Sequence, residues 1–171
     1  CVPARAADEP KWEKVFGCEF KNRVLKQWNL NDSVDVQSAG DLQAYVKDAF
    51  HFHDGSLYIE ARAQNARGKH YTSGAMNTRG KFDTKFGKFE IRFRVPRGNG
   101  FHSQFSLLPV SSKAGTFIRI LVAVGSDLTF SKKALADEPI ELKIEQDLSE
   151  DFHIITVVWL ETSIVWSLDG K

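Results

Sequence analysis

Between Phe89 and Val95 every second residue is apolar: Phe89, Ile91, Phe93 and Val95 alternate with Glu90, Arg92 and Arg94. A period of two sends successive side chains to opposite faces of an extended chain, so this stretch predicts a half-buried strand with its charges turned from the core. Leu57 to Ala63 alternates in the same way, with Tyr58, Glu60 and Arg62 on the second face. Phe117 to Val124 is apolar on both faces, the pattern of a central strand covered on two sides. Phe152 to Trp159 and Ser163 to Leu168 are two further β-rich runs. Asp54-Gly55, Arg79-Gly80-Lys81, Phe86-Gly87, Pro96 to Gly100 and Asp169-Gly170 supply turns between the runs. The one helix candidate, Ser131 to Asp137, is short. Many short strands with glycine-bearing turns predict an all-β chain, a two-sheet antiparallel β-sandwich or jelly roll.

The chain of 171 residues is 42% hydrophobic and 26% charged, which is enough apolar material for a core and excludes disordered and fibrous classes. Its longest apolar stretch, Phe117 to Val124, is broken by Arg119, whereas a membrane-spanning helix needs roughly 20 mostly apolar residues. Net charge is 23 − 22 = +1, with 21 basic against 13 acidic residues up to position 133 and 2 against 9 after it. An antiparallel fold lays such halves side by side, where they neutralise each other. The active alternative is a basic face drawn to an acidic protein surface or anionic headgroups. Lys81, Lys85, Lys88, Arg92, Arg94 and Arg97 interleave with Phe82, Phe86, Phe89 and Phe93. These phenylalanines follow the strand period and belong to a core, so they predict no nucleic-acid platform. No glycine-rich loop opens a helix to cradle phosphate, and no cofactor is expected. His51 and His53 share one strand face but lack a third ligand at a metal-site spacing, so no metal is expected. His70, His102 and His153 have no recognisable serine or cysteine partner for a catalytic triad.

The chain opens on Cys1, followed by the polar, Ala/Pro-containing stretch Val2 to Pro10. That beginning resembles a mature bacterial lipoprotein and implies lipid attachment at Cys1. The alternatives are a Cys1–Cys18 disulfide or an arbitrary start of the chain. Lipidation and the disulfide both imply export from the cytoplasm, and a lipid would hold the chain beside a membrane without a spanning helix. Residues 1–11 are expected to form a tether and residues 12–171 a single domain.

Three stretches in order, Asp54-Gly55-Ser56-Leu57-Tyr58-Ile59-Glu60-Ala61-Arg62, Tyr71 to Phe82 and Phe86 to Pro96, resemble glycoside hydrolase family 16, the laminarinase and lichenase group. Glu19-Phe20, Trp28, Leu107-Leu108-Pro109, Asp151-Phe152-His153 through Trp159, and Trp166 to Gly170 agree in the same order. The resemblance covers most of residues 12–171 and implies a concanavalin-like jelly roll of two curved sheets with a cleft across one. The family's chains continue past the Trp166-to-Gly170 hairpin, so the resemblance also implies smaller sheets or a C-terminally truncated chain.

Retaining glycosidases use two carboxylates about 5–5.5 Å apart, and the family carries them on one strand in a pattern like E-I-D-I-M-E. The matching positions for nucleophile, helper and acid/base are Phe117, Arg119 and Val122, with Leu121 in place of Val122 in an unbulged variant. No Asp or Glu occurs between Glu90 and Asp127. The expectation is therefore a catalytically degenerate member that is not an enzyme. Two tryptophans of the family's sugar platform fall on His102 and Ser106, while Phe101 and Phe105 remain, Phe105 facing the core. Candidate cleft residues are Arg92, Arg94, Phe101, His102, Ser106 and Arg119. The role these readings imply is an exported, lipid-anchored structural or interaction subunit with a protein partner in a membrane-associated or envelope complex. A module binding β-glucan or acidic polysaccharide is the alternative. A hydrolase with relocated acids is the third reading, with Glu60 and Glu90 the residues to test.

Overall fold

The computed structural model describes residues 11–21, 25–33, 41–111, 117–124, 127–133 and 146–171. Among these residues twelve strands follow in chain order: β1 (Asn29–Leu30), β2 (Gln43–Tyr45), β3 (Phe50–His53), β4 (Ser56–Ile59), β5 (Tyr71–Ser73), β6 (Met76–Asn77), β7 (Gly87–Phe93), β8 (His102–Leu107), β9 (Phe117–Val124), β10 (Asp127–Lys133), β11 (His153–Trp159) and β12 (Ile164–Leu168). Among the described residues the only helical turn is the 3-10 segment Lys47–Ala49. The chain is all-β, with the jelly-roll fold that its strand pattern predicts. No helix among the described residues is long and apolar enough to cross a membrane.

The chain divides into two compact units, residues 13–83 and the remainder. In residues 13–83, β1 pairs antiparallel with β6, β2 parallel with β5, and β3 antiparallel with β4. The β3–β4 hairpin turns on Asp54 and Gly55, whose φ angles of 47° and 70° are both positive. Asp-Gly tolerates that conformation, and its twist suits antiparallel strands. Among the described residues here, those fully buried are small or polar: Ala44, Ala49 and Thr72. Phe16 stacks on Phe82 with centroids 4.4 Å apart, and Lys81 Nζ donates to the carbonyls of Lys26 and Trp28 at 2.9 and 2.6 Å. Leu57 to Ala63 does not remain a strand throughout: β4 stops at Ile59, and Arg62 forms an isolated bridge to Thr72.

Residues 84–171 form two three-stranded sheets, ordered β10–β9–β8 and β12–β11–β7, every pairing antiparallel. Their apolar faces share one core. Ile118, Ile120, Leu121 and Ala123 of β9 meet Ile155 and Val157 of β11, with Val95 and Leu148, and Phe89, Ile91, Phe93, Phe105, Leu107, Trp159 and Trp166 pack against them. Phe105 thus faces the core, as its alternation predicts. The helix expected over Ser131 to Asp137 is corrected in its first part: Ser131–Lys133 belong to β10, paired with Phe117–Arg119 of β9. Long-range ladder pairing overrides the weak local helix signal there. Positions 134–137 lie outside the described residues.

Candidate functional site

The site positions are set by an irregularity in β9. Leu121 pairs with Phe105 and Arg119 with Ser106, so Ile120 is an extra residue against β8. The register with β10 shifts at the same place, between Thr129 and Ser131. Such a bulge places two consecutive residues on one side of the strand. Ile120 and Leu121 are accordingly both buried, at 0% and 5% exposure, beside Ile118 and Ala123. In the ladder this sets position 119 opposite Ser106 and position 122 opposite Gln104. Leu121 belongs to the core.

On the outer side β8 supplies His102, Gln104 and Ser106, opposite positions 124, 122 and 119 of β9. His102 and Gln104 are exposed, Ser106 and Arg119 half-buried. Gln104 Nε2 donates to Ser106 Oγ at 2.7 Å. Phe101 is exposed just before β8. Arginine, glutamine, histidine and serine together offer planar donors and acceptors suited to hydroxyl groups. Phe117, Arg119 and Val122 bring no carboxyl group to the face.

Arg92 and Arg94 are not part of this face. Arg92 lies on β7, paired with Ile154 of β11, in the other sheet, and Arg94 follows β7 directly. Both guanidinium groups lie over the Phe152 ring, at 3.9 and 5.2 Å from its centroid. The six expected cleft residues therefore separate into two groups, Phe101, His102, Ser106 and Arg119 on or beside one sheet and Arg92 and Arg94 on or beside the other.

Two polar clusters escaped the sequence reasoning. In residues 13–83, Arg62 donates through Nε to Glu60 (2.8 Å), through Nη1 to Asp48 Oδ2 (3.0 Å) and through Nη2 to the Asp48 carbonyl (2.7 Å). His51 Nε2 is 2.9 Å from Glu60 Oε2. The bond from Arg62 holds the Glu60 carboxyl below the usual carboxylate range. His51, His53, Tyr58, Ile59 and Glu60 line a shallow concavity of about 430 Å³. The Glu60-x-Arg62 spacing was the available signal, but on its own it reads as a solvated strand face. The second cluster joins the buried His153 to Asp169, with Nδ1 to Oδ2 at 2.8 Å. Because the carboxylate only accepts, Nδ1 carries the proton. Asp169 Oδ1 also accepts from the Ile154 amide at 2.8 Å, and with the His153 bond this lowers the Asp169 pKa, the histidine contributing most.

No group of three or more metal-ligating side chains occurs among the described residues. Cys18 is half-buried, while Cys1 and the lipid or disulfide expected on it lie outside the described residues.

The bulged sheet and its polar face sit in a fold that superposes on the laminarinase catalytic domain from Thermotoga maritima with a TM-score of 0.82 and 27% identity, covering 95% of this chain and 76% of that one. The chain is homologous in fold and sequence to the family-16 laminarinases. Among curated proteins, a β-glucanase of Rhodothermus marinus is 33% identical over 111 residues, 61% of this chain and 39% of that protein. A β-1,3-glucan-binding protein of Tenebrio molitor is 28% identical over 117 residues, 58% of this chain and 24% of its own length. The chain thus spans well under half the length of these curated relatives. No family model matches it.

These family-16 relatives correct one expectation. The inference from Phe117, Arg119 and Val122 to a chain that is not an enzyme is contradicted, because the matched proteins include a β-glucanase and a laminarinase catalytic domain. The inference rested on residue types at three positions of one strand. Two-carboxylate chemistry constrains the separation of the two acids and not the strand that carries them, and the described residues hold carboxylates outside β9, including Glu60 and Glu90.

Proposed function

We propose that this chain is a β-glucan-directed domain of the laminarinase kind that takes a linear β-1,3-glucan across the outer face of β8 and β9. The observation that supports this reading is the bulge at Ile120, which sets Arg119 opposite Ser106 and position 122 opposite Gln104 in the β8–β9 ladder. The homology to a laminarinase catalytic domain over 95% of the chain supplies the ligand class. Recognition on this face runs through hydrogen bonds from Arg119, Gln104 and His102 to sugar hydroxyls, with Phe101 as the apolar contact at its edge. A polysaccharide ligand also implies an exported chain.

The test is calorimetric titration of the chain with laminarihexaose, alongside release of reducing ends from laminarin. Binding that weakens by about tenfold or more in Arg119→Ala, the loss expected for a hydrogen bond to a charged donor, is the expected result. Undiminished binding by Arg119→Ala and Gln104→Ala together overturns the placement. No binding to laminarin, lichenan or their oligosaccharides overturns the reading itself. Release of reducing ends from laminarin shows that the chain turns its ligand over as well as binding it.

A further inference from the structure

The outer face of the β12–β11–β7 sheet carries two guanidinium groups in an arrangement that the glucan reading does not use. Arg92 and Arg94 project from the same side of adjoining extended chain and share one aromatic plate, the Phe152 ring, at 3.9 and 5.2 Å. Both arginines are exposed, and Phe152 is half-buried. Neighbouring Lys88 and Glu90 on the same face neutralise each other. No ion pair among the described residues engages Arg92 or Arg94, whereas Arg62 and Arg67 in residues 13–83 both sit against carboxylates.

The chemistry of this arrangement is specific. A guanidinium stacked on a ring spends its face and leaves its in-plane N–H edge available. The stack removes rotamer freedom in advance, so less entropy is lost when an anion is bound. Alternate residues of a strand stand roughly 6.5 Å apart, which sets two such edges side by side. Oxyanions with two adjacent oxygens, planar carboxylate or tetrahedral sulfate, accept paired N–H bonds from an arginine fork, and a lysine ammonium cannot reproduce that geometry.

We propose that Arg92 and Arg94, held on Phe152, form an oxyanion clamp that binds the carboxylate or sulfate groups of an acidic polysaccharide. A polymer is favoured over a small anion because two forks in a row on an open sheet face, with no enclosing wall, gain by engaging successive charged units. The clamp lies on the opposite sheet from the β8–β9 face and does not depend on glucan binding there.

The experiment is affinity electrophoresis of the full chain through gels containing dextran sulfate, polygalacturonate or neutral laminarin, at low and near-physiological salt. Retardation by one or both charged polymers that persists at the higher salt is expected, and the pair of polymers separates sulfate from carboxylate as the preferred group. Arg92→Lys with Arg94→Lys keeps the charge and removes the forks, and should weaken retention by about tenfold or more. Phe152→Leu should weaken it less, and Arg79→Ala, which removes an exposed positive charge elsewhere, should leave it unchanged. Thermal melts of each variant separate lost binding from lost folding. Full retention by the double lysine variant, an equal loss in Arg79→Ala, binding of anionic lipid vesicles in preference to both polymers, or no retention by either charged polymer overturns the clamp.

Discussion

Residues 13–83 and residues 84–171 are held together by different physics. The second region buries Ile120, Leu148, Ile155 and Val157 almost completely between two sheets. Among the described residues the first has three two-stranded pairings, and those fully buried are Ala44, Ala49 and Thr72. Isolated two-stranded pairs are marginal in water, and here they are tied by side-chain bonds, with Arg62 joining Asp48, Glu60 and Gln64 across the hairpin. The contrast shows that one chain can spend apolar area in one region and directional polar contacts in another.

Core truncation should make this contrast largest. Ile155→Ala leaves a cavity under β11 and should cost about 2–5 kcal/mol, read as a lower urea midpoint in tryptophan fluorescence. Loss confined to less than the cost of a surface substitution would mean that the core does not carry the second region. Next comes Gly74→Ala in the first region. A Cβ there falls 2.7 Å from Ile59 Cγ2 and 2.9 Å from Phe50 Cζ, so overpacking should cost about 1–3 kcal/mol. A neutral result would show the β3–β4 hairpin to be free to shift.

Removing the polar tie with Arg62→Gln should have a smaller effect, since its partners are exposed. Its signature is local: faster amide exchange in β3 and β4 with β7 and β11 unchanged. Equal acceleration in both regions would erase the distinction. The smallest effect concerns pH. The His153 bond, with the Ile154 amide, lowers the Asp169 pKa in the fold. A depressed carboxyl contributes stability above its unfolded pKa, and that contribution is lost as pH falls through the lower folded value. Asp169→Asn should therefore flatten the acid limb of the stability profile without altering its neutral slope.

Much of the second region was legible because its pattern is strong and repeated. Alternation across Phe89 to Val95 gave β7 with its faces correctly assigned, and Phe105 fell inward as expected. The run from Phe117 to Val124 gave a central strand, but its apolar pattern on both faces arises partly from the bulge, which depends on pairing with β8 and β10 that no local window contains. Ser131 to Lys133 went the same way, its helix signal overruled by pairing with β9. In the first region Leu57 to Ala63 alternates as cleanly as β7, yet β4 ends at Ile59, because Glu60 and Arg62 are taken up by Asp48 and His51. A polar hub assembled from residues 14 positions apart has no periodic trace. The family resemblance marks positions 117, 119 and 122 of β9, and the bulge that sets 119 and 122 against Ser106 and Gln104 leaves no trace in a local window. On enzymatic activity the same strand misleads, because residue types at three positions do not speak for the whole chain.

The most direct test of a β-glucan-directed face on β8 and β9 is an amide-resolved NMR titration with laminarihexaose. Saturable shifts centred on His102 to Leu107 and Ile118 to Val124, absent with a non-glucan oligosaccharide of equal length, are the expected result. Shifts confined to β7, β11 and β12, or no shifts at saturating sugar, would contradict it.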